Sequence, residues 1–270
     1  MTLYRADPAD GVAWVTGASS GLGRQVALQL AADGYTVAAT ARDADKLDIL
    51  VREAARSGHT IKAFPCDVAD EAAMRETAAQ IRQQAGPIAL AIFNAGIYLP
   101  TRLDGLDAGH FAKTHRVNFL GVINGLPPVL DQMRRRSCGH VVVVGSASSF
   151  FGLPAAAAYG ASKAALNNMV WALKYDLDPV NIRIQIINPG FVDTPLTEKN
   201  NFTMPALMSV ESAARRLVAA IRSGGTEVSF PRRFTWFLKA IALLPSPLAY
   251  TITRRFTGWH KRKPTPPPAD

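Results

Sequence analysis

The chain has 270 residues, 48% of them hydrophobic, which is material for one large α/β domain with a sizeable core rather than two small ones. Its two cysteines, Cys66 and Cys138, exclude a disulfide framework, and no charged start with an apolar run marks a signal peptide, so the expected setting is reducing and cytoplasmic. The net charge is +9, but residues 231–270 hold eight Lys/Arg against one acid, so a nearly balanced body carries a basic C-terminal part.

Short apolar runs without polar alternation occur at Val12–Thr16, Tyr35–Thr40, Thr60–Phe64, Ile88–Phe93, His140–Gly145, Ile182–Ile187 and Thr226–Phe230. Such runs suit strands buried on both faces. Helical patterns fill the gaps at Leu22–Asp33, Ala44–Ser57, Asp70–Ala85, Asp107–Arg136, Tyr159–Leu177 and Ser212–Arg222. The alternation implies right-handed crossovers and a Rossmann-type α/β fold, a doubly wound seven-stranded parallel sheet. Residues 1–230 read as the dinucleotide-binding catalytic domain. Residues 231–270 read as a basic, apolar helical extension: Phe234–Leu244, a break at Pro245 and Pro247, then Leu248–Phe256. The Pro-rich end from Lys261 onward reads as disordered.

Ligands of such sheets bind beyond the carboxyl ends of the strands, where the strand order reverses. The first strand–helix turn reads Thr16-Gly17-Ala18-Ser19-Ser20-Gly21-Leu22-Gly23. Gly17 permits a tight turn, Gly21 a close approach of backbone to a pyrophosphate, and Gly23 close helix–strand packing. The helix N-terminus then presents N–H groups and a positive dipole end to the phosphates. The second strand ends Thr40-Ala41-Arg42, with no acid to hold a ribose 2′-hydroxyl. Arg42 can pair with a 2′-phosphate, which favours NADP(H) over NAD(H); the plain alternative is a solvated arginine beside Asp43. Asp67, in Cys66-Asp67-Val68, could bond an adenine amino group or cap the next helix. Asn94-Ala95-Gly96 puts small residues against a cofactor, and Asn94 can tie strand ends together.

Tyr159-Gly160-Ala161-Ser162-Lys163 opens a helix, with Tyr159 and Lys163 on one face, about 5–6 Å apart at Cβ. A lysine ammonium that close lowers the pKa of a phenol and makes it a usable acid/base. By itself this spacing is more often a surface pair. Ser146, at the fifth strand's end, can hold a substrate oxygen. Asn118, inside the apolar Val117-Asn118-Phe119-Leu120, reads as a buried polar group with a fixed partner. None of the five histidines has metal-ligand spacing, so no metal is expected.

Together the glycine turn, Asn94-Ala95-Gly96, Asn118, Ser146, Tyr159, Lys163 and Asn188-Pro189-Gly190 resemble the motif set of the classical short-chain dehydrogenases/reductases, in matching order over residues 10–230. Ser146 precedes Tyr159 by 13 positions and Asn118 by 41, as that family's tetrad requires. The resemblance implies that Tyr159 protonates a carbonyl oxygen or deprotonates an alcohol, and that Ser146 orients that oxygen. Lys163 would bind the nicotinamide ribose and depress the Tyr159 pKa. Asn118 would hold a water relaying protons to Lys163. Pro189, Gly190, Val192 and Thr194 would meet the nicotinamide, while Ser19, Ser20, Leu22 and Val68 complete the cofactor contacts. Ser20 stands where many NADPH-preferring members carry a second base. The implied protein is a homodimer or homotetramer reducing carbonyls or oxidising alcohols. A sensor with the same fold and no turnover is the alternative.

Phe150, Phe151, Leu153, Phe191 and Leu196 suggest an apolar substrate, and Pro195–Leu207 is expected to form a covering helix. The extension over 231–263 is read as a pocket-closing or subunit-packing helix, with a membrane surface as the other reading. Its apolar content argues against nucleic acid.

Overall fold

The computed structural model describes residues 3–198 and 204–261. Strands β1 (Val12–Thr16), β2 (Val37–Thr40), β3 (Ile61–Ala63), β4 (Ile88–Phe93), β5 (Gly139–Val144), β6 (Ile182–Pro189) and β7 (Glu227–Phe230) form one sheet. Their order is β3-β2-β1-β4-β5-β6-β7, and each neighbouring pair is parallel. The helices are α1 (Gly21–Ala32), α2 (Ala44–Arg56), α3 (Glu71–Gln84), α4 (Ala108–His115), α5 (Gly121–Arg136), α6 (Ala157–Leu177), α7 (Val210–Ser223), α8 (Arg232–Ala242) and α9 (Ser246–Phe256).

The strand pleat divides each apolar run between two cores. Ala13, Val15, Leu90, Ile92, Val142 and Val144 face α1, α2 and α7. Val12, Trp14, Ile88, Phe93, Val141 and Val143 face α3, α5 and α6. Side chains alternate along a strand, so burial on both faces demands apolar residues at consecutive positions. Chain order reverses between β1 and β4, and the crevice at their carboxyl ends is where the sequence motifs meet.

Several boundaries differ from the periodicity. Strand β2 starts at Val37 rather than Tyr35 because Tyr35 N–H donates to Leu30 O at 3.0 Å and its hydroxyl to Ala6 O at 2.8 Å. The expected helix 107–136 is interrupted by a π-turn over Arg116–Leu120, between α4 and α5. That turn carries the buried Asn118. Pro195–Leu207 shows no helix among its described residues, 195–198 and 204–207. Instead Thr197 Oγ1 donates to Val192 O at 2.6 Å and accepts from Thr194 N–H at 3.0 Å, which folds a turn. Residues 262–270, most of the segment read as disordered, lie outside the described residues.

His140 on β5 is fully buried. Its Nε2 lies 2.7 Å from Gln185 Oε1, while the Gln185 amide donates to Ala220 O and Gly225 O. Nε2 therefore carries the proton, and Nδ1 has no partner among the described residues. Burial lowers the His140 pKa from 6.5 to about 4. The unfolded chain thus takes up a proton that the native state refuses, and stability falls as pH drops from about 6.5 to 4. We expect His140→Gln to flatten the decline in Tm over that window relative to the native protein, by the equivalent of about 3 kcal/mol. Parallel thermal melts from pH 7.5 to 4 measure it, and superimposable slopes would refute it.

Candidate active site

A cavity of about 710 Å³ runs across the carboxyl ends of the strands. Every cofactor-binding residue expected from sequence lies on its wall: Gly17, Ser19 to Gly23, Arg42, Asp67, Val68, Asn94 to Gly96, Tyr159, Lys163, Pro189, Gly190, Val192 and Thr194. Ser146 also lines it, whereas Asn118 stands one layer behind.

The glycine turn is held by steric need. A Cβ on Gly23 would come 2.3 Å from both Gly17 O and Asn94 Nδ2, and one on Gly17 (φ +70°) would come 2.7 Å from Ala95 Cα. Asn94 Nδ2 donates to Thr16 O at 3.1 Å, tying β4 to β1. Asp43, Asp70, Asp107 and Ser209 cap the N-termini of α2, α3, α4 and α7 with their side chains. Ser20 could do the same for α1 but makes no such bond. The first N–H groups of α1 therefore have no capping partner among the described residues and stand at the cavity wall, with no acid in that turn. This donor set fits the pyrophosphate of a dinucleotide.

Farther along, buried Ala41 is followed by exposed Arg42. Arg42 has no ion pair or hydrogen bond among the described residues. The neighbouring carboxylate is committed: Asp43 accepts from Lys46 N–H at 3.1 Å and pairs with Lys46 Nζ at 3.0 Å. Lys46 also lines the cavity, a second cation that the sequence reading missed. Proximity to Asp43 one helical turn away was the signal for it. Asp67 does not cap α3. Its Oδ1 accepts from Ala69 N–H at 3.0 Å in a local turn, and Asp70 takes the cap, accepting from Ala73 N–H at 2.9 Å.

At the other end Tyr159, Ser146 and Lys163 converge. Lys163 Nζ donates to Val144 O at 2.7 Å and lies 5.8 Å from the Tyr159 ring centroid. The Ser146 side chain lies beside Tyr159 on the cavity wall. The expected lowering of the Tyr159 pKa by Lys163 is not what the geometry gives. Burial pushes the phenol up to about 12, the neighbouring Ser146 hydroxyl opposes that rise, and Tyr98 adds to it. Burial likewise lowers Lys163 to about 8. Loss of water outweighs the pairing because Lys163 gives its short bond to a carbonyl. Tyr98, which the sequence reading passed over, packs edge-on to Tyr159 at 5.3 Å between centroids.

Asn118 is spent on structure. Its Oδ1 accepts from Ile97 N–H at 2.8 Å, and its Nδ2 donates to Ile97 O at 3.0 Å and Ser162 Oγ at 3.1 Å. The side chain fixes the segment after β4 against α6. A second polar network was also missed. Asn188 Oδ1 accepts from Ser146 N–H at 3.0 Å, and its Nδ2 donates to Asn167 Oδ1 at 2.9 Å. Gly145 is part of it, since a Cβ there would fall 2.0 Å from Asn188 Oδ1. Asn167 fell inside a helical pattern, where nothing in its neighbours marked it.

The cavity wall also includes the apolar side chains of Leu153, Phe191, Leu196, Phe234 and Leu238. Phe150 and Phe151, expected on this wall, pack behind it against the cluster of Ala147, Phe234 and Leu238. Phe234 and Leu238 come from α8, so the extension does wall the pocket. It is anchored by Lys239 Nζ to Glu227 at 2.6 Å and by the Ser229 hydroxyl donating to Thr235 Oγ1 at 3.1 Å. No described helix is long and apolar enough to cross a membrane.

Comparison with known proteins places this geometry. Residues 11–204 match the model of the short chain dehydrogenase family. An uncharacterized oxidoreductase of Myxococcus xanthus is 38% identical over 243 residues, 90% of this chain and 96% of that one. The 2,3-dihydro-2,3-dihydroxybenzoate dehydrogenase of Bacillus subtilis is 35% identical over 185 residues, 68% of this chain and 71% of that one. Among solved structures, a single-residue variant of the actinorhodin polyketide ketoreductase with NADPH superposes with a TM-score of 0.75 at 23% identity, covering 83% of this chain and 97% of that one. The seven-stranded sheet, the glycine turn and the Ser146–Tyr159–Lys163 cluster belong to an oxidoreductase, and the chain is a member of the short-chain dehydrogenase/reductase family.

Proposed function

We propose that this protein is an NADP(H)-dependent oxidoreductase that interconverts an apolar carbonyl compound and its alcohol, with Tyr159 as general acid/base. The observation that carries the reading is one continuous cavity with Arg42 and an uncapped α1 at one end and Ser146, Tyr159 and Lys163 at the other. Gly17 to Gly23 would hold the pyrophosphate and Arg42 the 2′-phosphate, with Pro189 to Thr194 and Lys163 at the nicotinamide end. When bound, the cofactor supplies or accepts the hydride.

The chain's own residues handle the proton and the oxygen. Ser146 Oγ accepts from Ser148 N–H at 3.2 Å and from the Ser148 hydroxyl at 3.0 Å, so its own proton is left to donate on the Tyr159 side and, with substrate in place, to the substrate oxygen. Tyr159, neutral at pH 7, gives its proton to that oxygen during reduction. Lys163, still cationic at pH 7, stabilises the phenolate left behind. Leu153, Phe191, Leu196, Phe234 and Leu238 keep water from the reacting oxygen and select apolar substrates.

A panel of ketones, aldehydes and alcohols assayed by NADPH turnover tests the whole reading. Binding of NADPH without turnover of any of them would favour the sensor instead. For the cofactor, we expect Arg42→Ala to weaken NADPH binding about tenfold while leaving NADH within twofold, since a charge-assisted pair is worth about 1.5–3 kcal/mol. Titration of both cofactors by quenching of tryptophan fluorescence reads it. Equal losses for NADPH and NADH would remove the 2′-phosphate role.

A further inference from the structure

Helices α8 and α9 form a hairpin whose ends differ in chemistry. The rings of Phe237 and Phe256 lie 5.1 Å apart, so the chain runs out along α8, turns at Leu243–Pro247 and returns along α9. Ala240 to Thr253 carries no charged residue. Leu243 at this tip is 87% exposed, and Leu248, Tyr250 and Trp236 are exposed with it. A leucine that bare on an uncharged tip is an unmet apolar surface. The other end is cationic: Arg232, Arg233, Arg254, Arg255 and Lys261. None of these five has an ion pair among the described residues, and no acid occurs between Pro231 and Ala269.

We propose that this hairpin docks on an anionic membrane surface, its Leu243–Leu248 tip among the acyl chains and its cations against the headgroups. The spacing suits that placement. Arg233 lies ten residues from Leu243, about 15 Å along a helix. An interfacial segment buries about 5–10 Å of its depth, leaving such a residue near the headgroup layer. Charge decides between occupants. A second copy seated face to face on the same hairpin would set cations against cations with no acid on the patch to pair them. Anionic lipid supplies the missing charge. Because α8 also carries Phe234 and Leu238 into the cavity, the docked cavity takes its apolar substrate from the bilayer, a consequence that rests on the oxidoreductase reading above.

The test is flotation of the full chain with vesicles of phosphatidylcholine alone or with added phosphatidylglycerol, at low and high salt. The expected result is about tenfold or greater enrichment on the anionic vesicles, reduced at high salt. Leu243→Asp combined with Leu248→Asp should abolish it, and Arg254→Glu combined with Arg255→Glu should reduce it about tenfold. All three proteins should turn over a water-soluble ketone equally, which shows that the variants are folded. Flotation needs no turnover, so failure of the enzymatic reading and failure of this one are separately visible. No flotation with either vesicle, equal flotation with both, or unchanged flotation of the tip variant overturns the proposal. So does a lipid-free oligomer that the tip variant splits in light scattering, which would assign this face to a second copy.

Discussion

Tyr159→Phe is expected to lower kcat for NADPH-linked ketone reduction by about 10³-fold, within the 10²–10⁴ range of general acid–base catalysis. The ring contact with Tyr98 survives the change, so thermal stability and NADPH affinity should stay within about threefold of the native protein or its equivalent in Tm. The pH profile carries the sharper signature. With the phenol at about 12 and Lys163 at about 8, the reductive rate should be flat from pH 6 to 7.5 and fall as pH rises through 8. The sign follows from which form works: reduction needs the phenol protonated and the lysine charged, and the lysine is the first of the two to lose its proton. Oxidation, which needs the phenol to accept a proton, should speed up with pH until the lysine discharges. A Tyr159→Phe protein keeping a tenth of native kcat would remove the tyrosine from the chemistry.

The second large effect is steric. Gly23→Ala should cost about 1–3 kcal/mol of stability and more than tenfold in NADPH affinity. Its new Cβ would meet Gly17 O and Asn94 Nδ2 at 2.3 Å, so either the turn opens or the Asn94 link from β4 to β1 breaks. Gly105→Ala is the matched control, since nothing lies within 4 Å of a Cβ there. Calorimetry and cofactor titration on both variants decide the matter. Equal behaviour of the two would show that the turn tolerates a side chain.

Much of the fold was legible because strand and helix periods are local. Runs such as Ile88-Ala89-Leu90-Ala91-Ile92-Phe93 can only be strands covered on both sides, and β4 begins and ends where the pattern does. Strand β2 was read two residues too long because Tyr35 is apolar enough to extend the run, while its hydrogen bonds go to Leu30 and Ala6. Among the described residues of the segment Pro195–Leu207 no helix forms, for a related reason: Thr197 binds back to Val192 and Thr194, a side-chain competition with the backbone that no apolar period records.

The chain by itself determined the order of the motifs, the types of the reacting side chains and the charge imbalance of its C-terminal part. Spacing along a strand or helix is a short-range property, so Tyr159 and Lys163 were certain to share a face, and Gly17 to Gly23 a turn. Tertiary structure decided what those groups are worth. Burial set the proton affinities of Tyr159 and Lys163 against the direction their pairing suggests, because desolvation depends on everything packed around them. Long-range contacts chose the jobs of the asparagines: Asn118 holds Ile97, Asn94 joins two strands, and Asn188 reserves the space beside Gly145. The same contacts placed Phe234 and Leu238, more than seventy residues after Tyr159 in the chain, on the wall of its cavity.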